Sequence, residues 1–93
     1  MAVVIAINHH VFDGDERQVQ LLGIFNSEDD AIDTIMDELP LRSAGSDEYY
    51  LETMVRGQER TMYRKDIIQE IRYKGLFTID NNRTNTTYQI LWN

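Results

Sequence analysis

The chain reads as an α+β fold: an antiparallel sheet in the order β-β-α-β-β-α-β-β, with one or two helices packed on one face. Three observations predict it. Short runs rich in β-branched and aromatic residues recur along the chain, separated by polar turn residues. One segment repeats its apolar residues with helical period and carries start and stop signals. The connections are short, so strands adjacent in sequence pair as hairpins, and helices then cover one side of the sheet. The 93 residues make one domain, 1–93, with no linker, repeat or low-complexity run and Pro40 as the sole proline.

Residues 2–12, AVVIAINHHVF, are apolar at successive positions. They are expected to form a strand buried on both faces at its start. DGDER interrupts, and QVQLLGIF (Gln18–Phe25) resumes as the second arm of a hairpin. In NSEDDAIDTIMDELP, Ser27 is a suitable N-cap and Asp30 stands three residues on. Ala31, Ile32, Ile35, Met36 and Leu39 make one stripe, and Pro40 ends the helix. LRSAGSD is a loop, EYYLETMVR a strand, and a turn at Gly57 leads into RTMYR. Asp66 is placed to cap a second helix, IIQEIRYK, with Gln69 in the capping-box position. Ile67, Ile68 and Ile71 form its stripe and Gly75 stops it, although the isoleucines also suit a strand. LFTID and TYQILW form the last hairpin around NNRTNT, with Trp92 pinning the final strand into the core.

The charge is lopsided. Residues 1–47 hold ten acidic and two basic side chains, a net −8; residues 48–93 hold six and seven, a net +1. An acidic half disfavours direct nucleic-acid binding, which draws on cations to displace counterions from phosphates. It suits a basic protein partner. With no cysteine, disulfides, thiolate metal sites and a thiol nucleophile are excluded. MAVVIAI has no basic flank and is too short to span a bilayer, so no membrane role and a cytoplasmic location are expected.

The first half resembles a group of short, uncharacterised bacterial and phage-encoded proteins. The matching elements are the apolar first strand leading to an acidic turn, LLGIFNSEDDAI, the Leu39–Pro40 pair and the acidic-aromatic DEYYLE. The resemblance implies a hairpin followed by an acidic helix and a bacterial or phage origin. It carries no activity and no site residue.

Candidate chemistry is sparse. His9, His10, Asp13 and Asp15 cluster near the first turn. Adjacent strand residues point to opposite faces, however, so the two histidines do not chelate one ion locally, and a hairpin tip is the expected role. Ser27, Ser43 and Ser46 lack the nucleophile-elbow motif and a nearby histidine. Neither a cofactor motif nor a catalytic set stands out, and the chain is expected to be non-enzymatic. The sharpest feature is six carboxylates within residues 28–38: Glu28, Asp29, Asp30, Asp33, Asp37 and Glu38. Asp29, Asp33 and Asp37 fall on one helical line, where like charges oppose helix formation unless something compensates them. On EYYLETMVR, alternation assigns Tyr49, Leu51, Thr53 and Val55 to the core. Tyr50, Glu52, Met54 and Arg56 lie opposite, offering Tyr50 and Met54 as apolar anchors. The basic set Arg56, Arg60, Arg64, Lys65, Arg72 and Lys74 is suited to pairing with the acidic helix, in the same chain or in a second copy.

The function expected on these grounds is a small acidic protein-binding module. It would be an inhibitor of phage or mobile-element, anti-defence type that occupies a basic surface of a nucleic-acid-handling protein. The alternatives are a small-ligand or nucleotide sequestering domain lined by the basic set, and a self-associating accessory domain, with a homodimer compatible with either.

Overall fold

The computed structural model describes residues 1–10, 16–45, 48–55, 58–81 and 84–93. The expectations for Asp13, Asp15, Ser46 and Arg56 fall outside these residues, as does that for the side chain of Val55. The described elements run β1 (Ala2–His10), β2 (Glu16–Phe25), α1 (Glu28–Glu38), β3 (Arg42–Ser43), β4 (Tyr49–Val55), β5 (Gln58–Tyr63), α2 (Arg64–Lys74), β6 (Leu76–Asn81) and β7 (Thr84–Trp92). The fold is α+β with antiparallel pairing throughout, in the predicted order with β3 added. The strands divide into a four-stranded sheet, β2-β1-β7-β6, and a three-stranded one, β3-β4-β5. β3 lies in a segment expected to be loop. Its two residues, Arg42 and Ser43, pair with Tyr50 and Tyr49, a contact that no local pattern in so short a stretch announces.

β1 and β2 form the expected hairpin, paired from Ala2–Phe25 to His10–Glu16, with a bulge between Val4 and Ile5. β1 also pairs with β7 along its whole length, and this places it at the centre of the large sheet. The register sorts the side chains. Ala2, Val4 and Ala6 on β1, Phe77 and Ile79 on β6, and Tyr88 and Ile90 on β7 share one face and are buried. Ala31, Ile32, Ile35, Met36 and Leu39 from α1 complete this core, with Ile67 and Ile71 from α2 and Leu51 and Met62 from the small sheet.

Each helix boundary has a physical cause. At α1 the Ser27 hydroxyl accepts from the Asp30 backbone N–H at 3.2 Å, satisfying one otherwise orphaned donor. Leu39 leaves the helix in an extended conformation ahead of Pro40. α2 is a helix rather than a strand, but it starts earlier than Asp66. β5 runs straight into Arg64, Tyr63 takes the cap position with no side-chain bond, and Asp66 sits in the first turn, where a carboxylate favours the positive helix end. The helix ends at Gly75 with φ of 75°, the left-handed conformation that glycine adopts without penalty. The Gly75 N–H donates to the Ile71 carbonyl at 2.7 Å, and the Gly75 carbonyl accepts from Ile90 N–H at 2.8 Å, which ties α2 to β7.

Two core expectations are corrected. Trp92 is 56% exposed. It is the last residue of β7, paired with Ala2 at the end of the sheet, and Tyr88 and Ile90 anchor the last strand instead. Tyr49 is 44% exposed, because it sits at the start of β4 opposite the short β3; Leu51 and Thr53 are buried as expected.

Among the described residues neither helix lies over the second face of the large sheet, and at its β6 edge Leu76, Thr78 and Asp80 border a groove whose other walls include Thr53, Met54 and Arg60 of the small sheet. Val3, Ile5 and Ile7 on β1 point there and are partly exposed. Beside them, Val19, Leu21 and Ile24 on β2 and Leu91 on β7 are exposed outright, Leu21 at 59%. The expectation that β1 is buried on both faces therefore holds for one face. On the other, Val3, Ile5 and Ile7 are shielded in part by neighbouring side chains among the described residues. The Cα extents of 36 × 36 × 19 Å agree, since 19 Å holds one sheet and one packed layer, at about 10 Å between layers, and no third.

Candidate functional site

The acidic residues are positioned by the same periodicity that builds the core. Ala31, Ile32, Ile35 and Met36 turn α1 inward, so Asp29, Asp30, Asp33, Asp37 and Glu38 face out and Glu28 is partly covered. The first turn is compensated from within the chain. Arg72 of α2 reaches across, donating from Nη1 to Glu28 Oε1 and from Nη2 to Asp29 Oδ1, the latter at 2.6 Å. These bonds, to Asp29 first and Glu28 second, hold the Arg72 pKa above its ordinary value. The expected pairing of a basic residue with the acidic helix of the same chain is thus present, and among the described residues it neutralises the first member of the line Asp29–Asp33–Asp37. Among the described residues, Asp30, Asp33, Asp37 and Glu38 form no ion pair. Glu38 also adds its charge to the effect of burial in raising the Tyr88 pKa, burial being the larger cause.

Tyr50 and Met54 are both half-buried on β4. The Tyr50 ring lies 6.5 Å from that of Tyr63, tilted by 55°. Met54 borders a groove of about 580 Å³ with Thr53, Arg60, Met62 and Lys74 among its walls; Thr53 is 6% exposed and its hydroxyl has no hydrogen-bond partner among the described residues. α1 packs on β1, β2 and α2, whereas β4 packs on α2 and β6. The acidic strip and the two anchor residues therefore occupy different layers of the molecule.

Three further members of the basic set, Lys74, Arg64 and Lys65, are also placed. Lys74 donates to Glu70 at 2.8 Å, one helical turn away. Arg64 and Lys65 border a shallow pocket of about 440 Å³ with Glu48, Tyr49 and Tyr63. His10 Nδ1 lies 3.3 Å from Thr84 Oγ1 on the helix-covered side of β1, and alternation sends His9 to the other side. Among the described residues, no three histidines and carboxylates gather at one point. Ser43 accepts from the Gly45 N–H at 3.3 Å and Ser27 caps α1, so both serines hold turns. No helix among the described residues is long and apolar enough to cross a membrane.

The feature that sequence reasoning missed is the bare apolar sheet face. Its signal was present. AVVIAI is apolar at both alternating sets of positions, and Val19, Leu21 and Ile24 extend one set onto the next strand. Comparison with protein-family models, curated proteins and solved structures found no match. The resemblance of the first half to short bacterial and phage proteins thus rests on the residues quoted for it.

Proposed function

We propose that this chain is a non-enzymatic binding module that docks the outward face of α1 onto a basic surface of another protein. The observation that carries the reading is the arrangement of Asp30, Asp33, Asp37 and Glu38. Four exposed carboxylates lie within three helical turns, and among the described residues Arg72 pairs with Glu28 and Asp29 and with none of these four. Like charges four residues apart cost a helix a few tenths of a kcal/mol. A cationic partner would relieve that cost and be steered toward it by the field of the acidic half. A partner whose own ligand is nucleic acid carries such a surface, and a phage or mobile-element inhibitor of a defence protein is the form of the proposal that the first-half resemblance supports.

The test is capture from bacterial lysate at about 50 and about 300 mM salt, a range over which the screening length roughly halves. The bait is the wild type or a variant carrying Asp33→Lys and Asp37→Lys, two exposed positions outside the Arg72 pair. A protein held by the wild type at low salt, released at high salt and lost with the variant is the expected result. Identical capture by wild type and variant would refute the reading.

A further inference from the structure

We infer that the uncovered face of the four-stranded sheet is a homodimer interface, on which a second copy of this chain packs face to face. The cross-strand register lays this face out in rows. At one end Ile24, Val3 and Leu91 stand side by side on β2, β1 and β7. The next row runs from Leu21 through Ile5 to Gln89 and Leu76, and the third from Val19 through Ile7 to Thr87 and Thr78. The Thr78 and Thr87 hydroxyls share one hydrogen bond of 2.9 Å, so each has a partner within the sheet. No charged side chain occurs in these three rows, in a chain with 16 acidic residues and a net charge of −7. A surface that only met water would have no reason to be kept so free of charge.

The fourth row identifies the occupant. It runs Arg17, His9, Asn85, Asp80, with the cation on one edge strand of the sheet and the anion on the other. A two-fold axis parallel to the strands, lying between two such faces, sets β2 of one copy over β6 of the other. Arg17 then faces Asp80 of the second copy, and the symmetry repeats the pair. Within one chain the two residues sit on opposite edges, three strand spacings apart at about 4.8 Å each, and neither forms an ion pair among the described residues. The interface is thus self-complementary, as an isologous contact requires.

The size is sufficient. The four strands, of 9, 10, 9 and 6 residues, about 4.8 Å apart and rising about 3.3 Å per residue, give a projected area of about 540 Å² per copy. Two copies then exceed the roughly 1,000 Å² that a specific interface needs, at the lower end of the range, where association is of micromolar order. Sheets packed in this way form a sandwich with the strand directions within about 30° of each other. Both acidic helices then face outward, with four layers at about 10 Å spacing placing them about 30 Å apart. That is several screening lengths at physiological salt, so their repulsion does not oppose assembly.

The experiment is equilibrium sedimentation of the full chain from about 1 to about 200 μM, a span that brackets a micromolar dimer. The wild type is expected to pass from monomer to dimer mass. Leu21→Lys, on the exposed edge strand, is expected to remain monomeric while keeping its circular dichroism and melting temperature at low concentration. Arg17→Asp should weaken the dimer about tenfold, the effect of losing a modest charge pair, and adding Asp80→Arg to it should restore affinity. A monomer at every concentration would overturn the inference, and so would a dimer that Leu21→Lys leaves intact.

Discussion

The two faces of the four-stranded sheet are made from similar aliphatic side chains and meet opposite fates. On one, Val4, Ala6, Ile79 and Ile90 lie beneath α1 and α2 and are buried. On the other, Ile5 and Ile7 keep company with Leu21, Val19 and Ile24 in the open. Apolar patterning identifies a face that needs a cover, but it does not say where the cover comes from. The chain has two helices among its described residues, and both go to one side. The same contrast separates the sheet from α1. There the outward face is charged, and the recognition surface we propose for it rests on what it displays to water.

Ile35 is fully buried in α1. Ile35→Ala should lower the unfolding free energy in urea by about 2–5 kcal/mol, from lost transfer energy and the cavity left behind. Leu21→Ala removes a comparable side chain from the open face, and at about 1 μM protein it should change stability by no more than about 0.5 kcal/mol. At concentrations that populate the dimer its cost should grow, because association adds to the apparent stability of the wild type only. Equal costs for the two substitutions at low concentration would mean that the open face is covered within the monomer.

A smaller effect sharpens the account of the covered face. Tyr88 lies on it, and burial, with Glu38 second, raises its pKa above the ordinary value of 10. An acid whose folded pKa exceeds its unfolded one binds more protons when folded. Its contribution to stability is therefore complete below pH 10 and is lost as pH rises through the folded value. Unfolding free energy measured across alkaline pH should fall less steeply in Tyr88→Phe than in the wild type. Superimposable slopes would show that the phenol is as well hydrated in the fold as in the unfolded chain.

Much of this architecture was legible in local sequence. Ser27 and Pro40 bracket α1 because caps and breakers act within a turn of the residues that carry them. Gly75 stops α2 for the same reason. What escaped was non-local. Nothing within EYYLETMVR announces that its hairpin forms a separate sheet, or that Arg42 and Ser43 add an edge to it. Trp92 suits the core by residue type, yet it ends the β1–β7 pairing and is 56% exposed. Of the candidate site, the acidic strip was visible as six carboxylates in a helical stretch. The Arg72 pairs that split it were not, because they join residues more than forty positions apart, at 43 and 44.

The bare face and the acidic face predict opposite responses to salt, and one measurement separates them. The mass of the wild-type chain at fixed concentration should be determined by sedimentation at about 50 and about 500 mM sodium chloride, which takes the screening length from beyond 10 Å to well below it. Assembly through the apolar sheet face predicts a dimer that persists at high salt, weakened by no more than the roughly tenfold share of the Arg17–Asp80 pairs. A dimer that dissociates at high salt would contradict this account, because it would place the acidic half of one copy against the basic half of another.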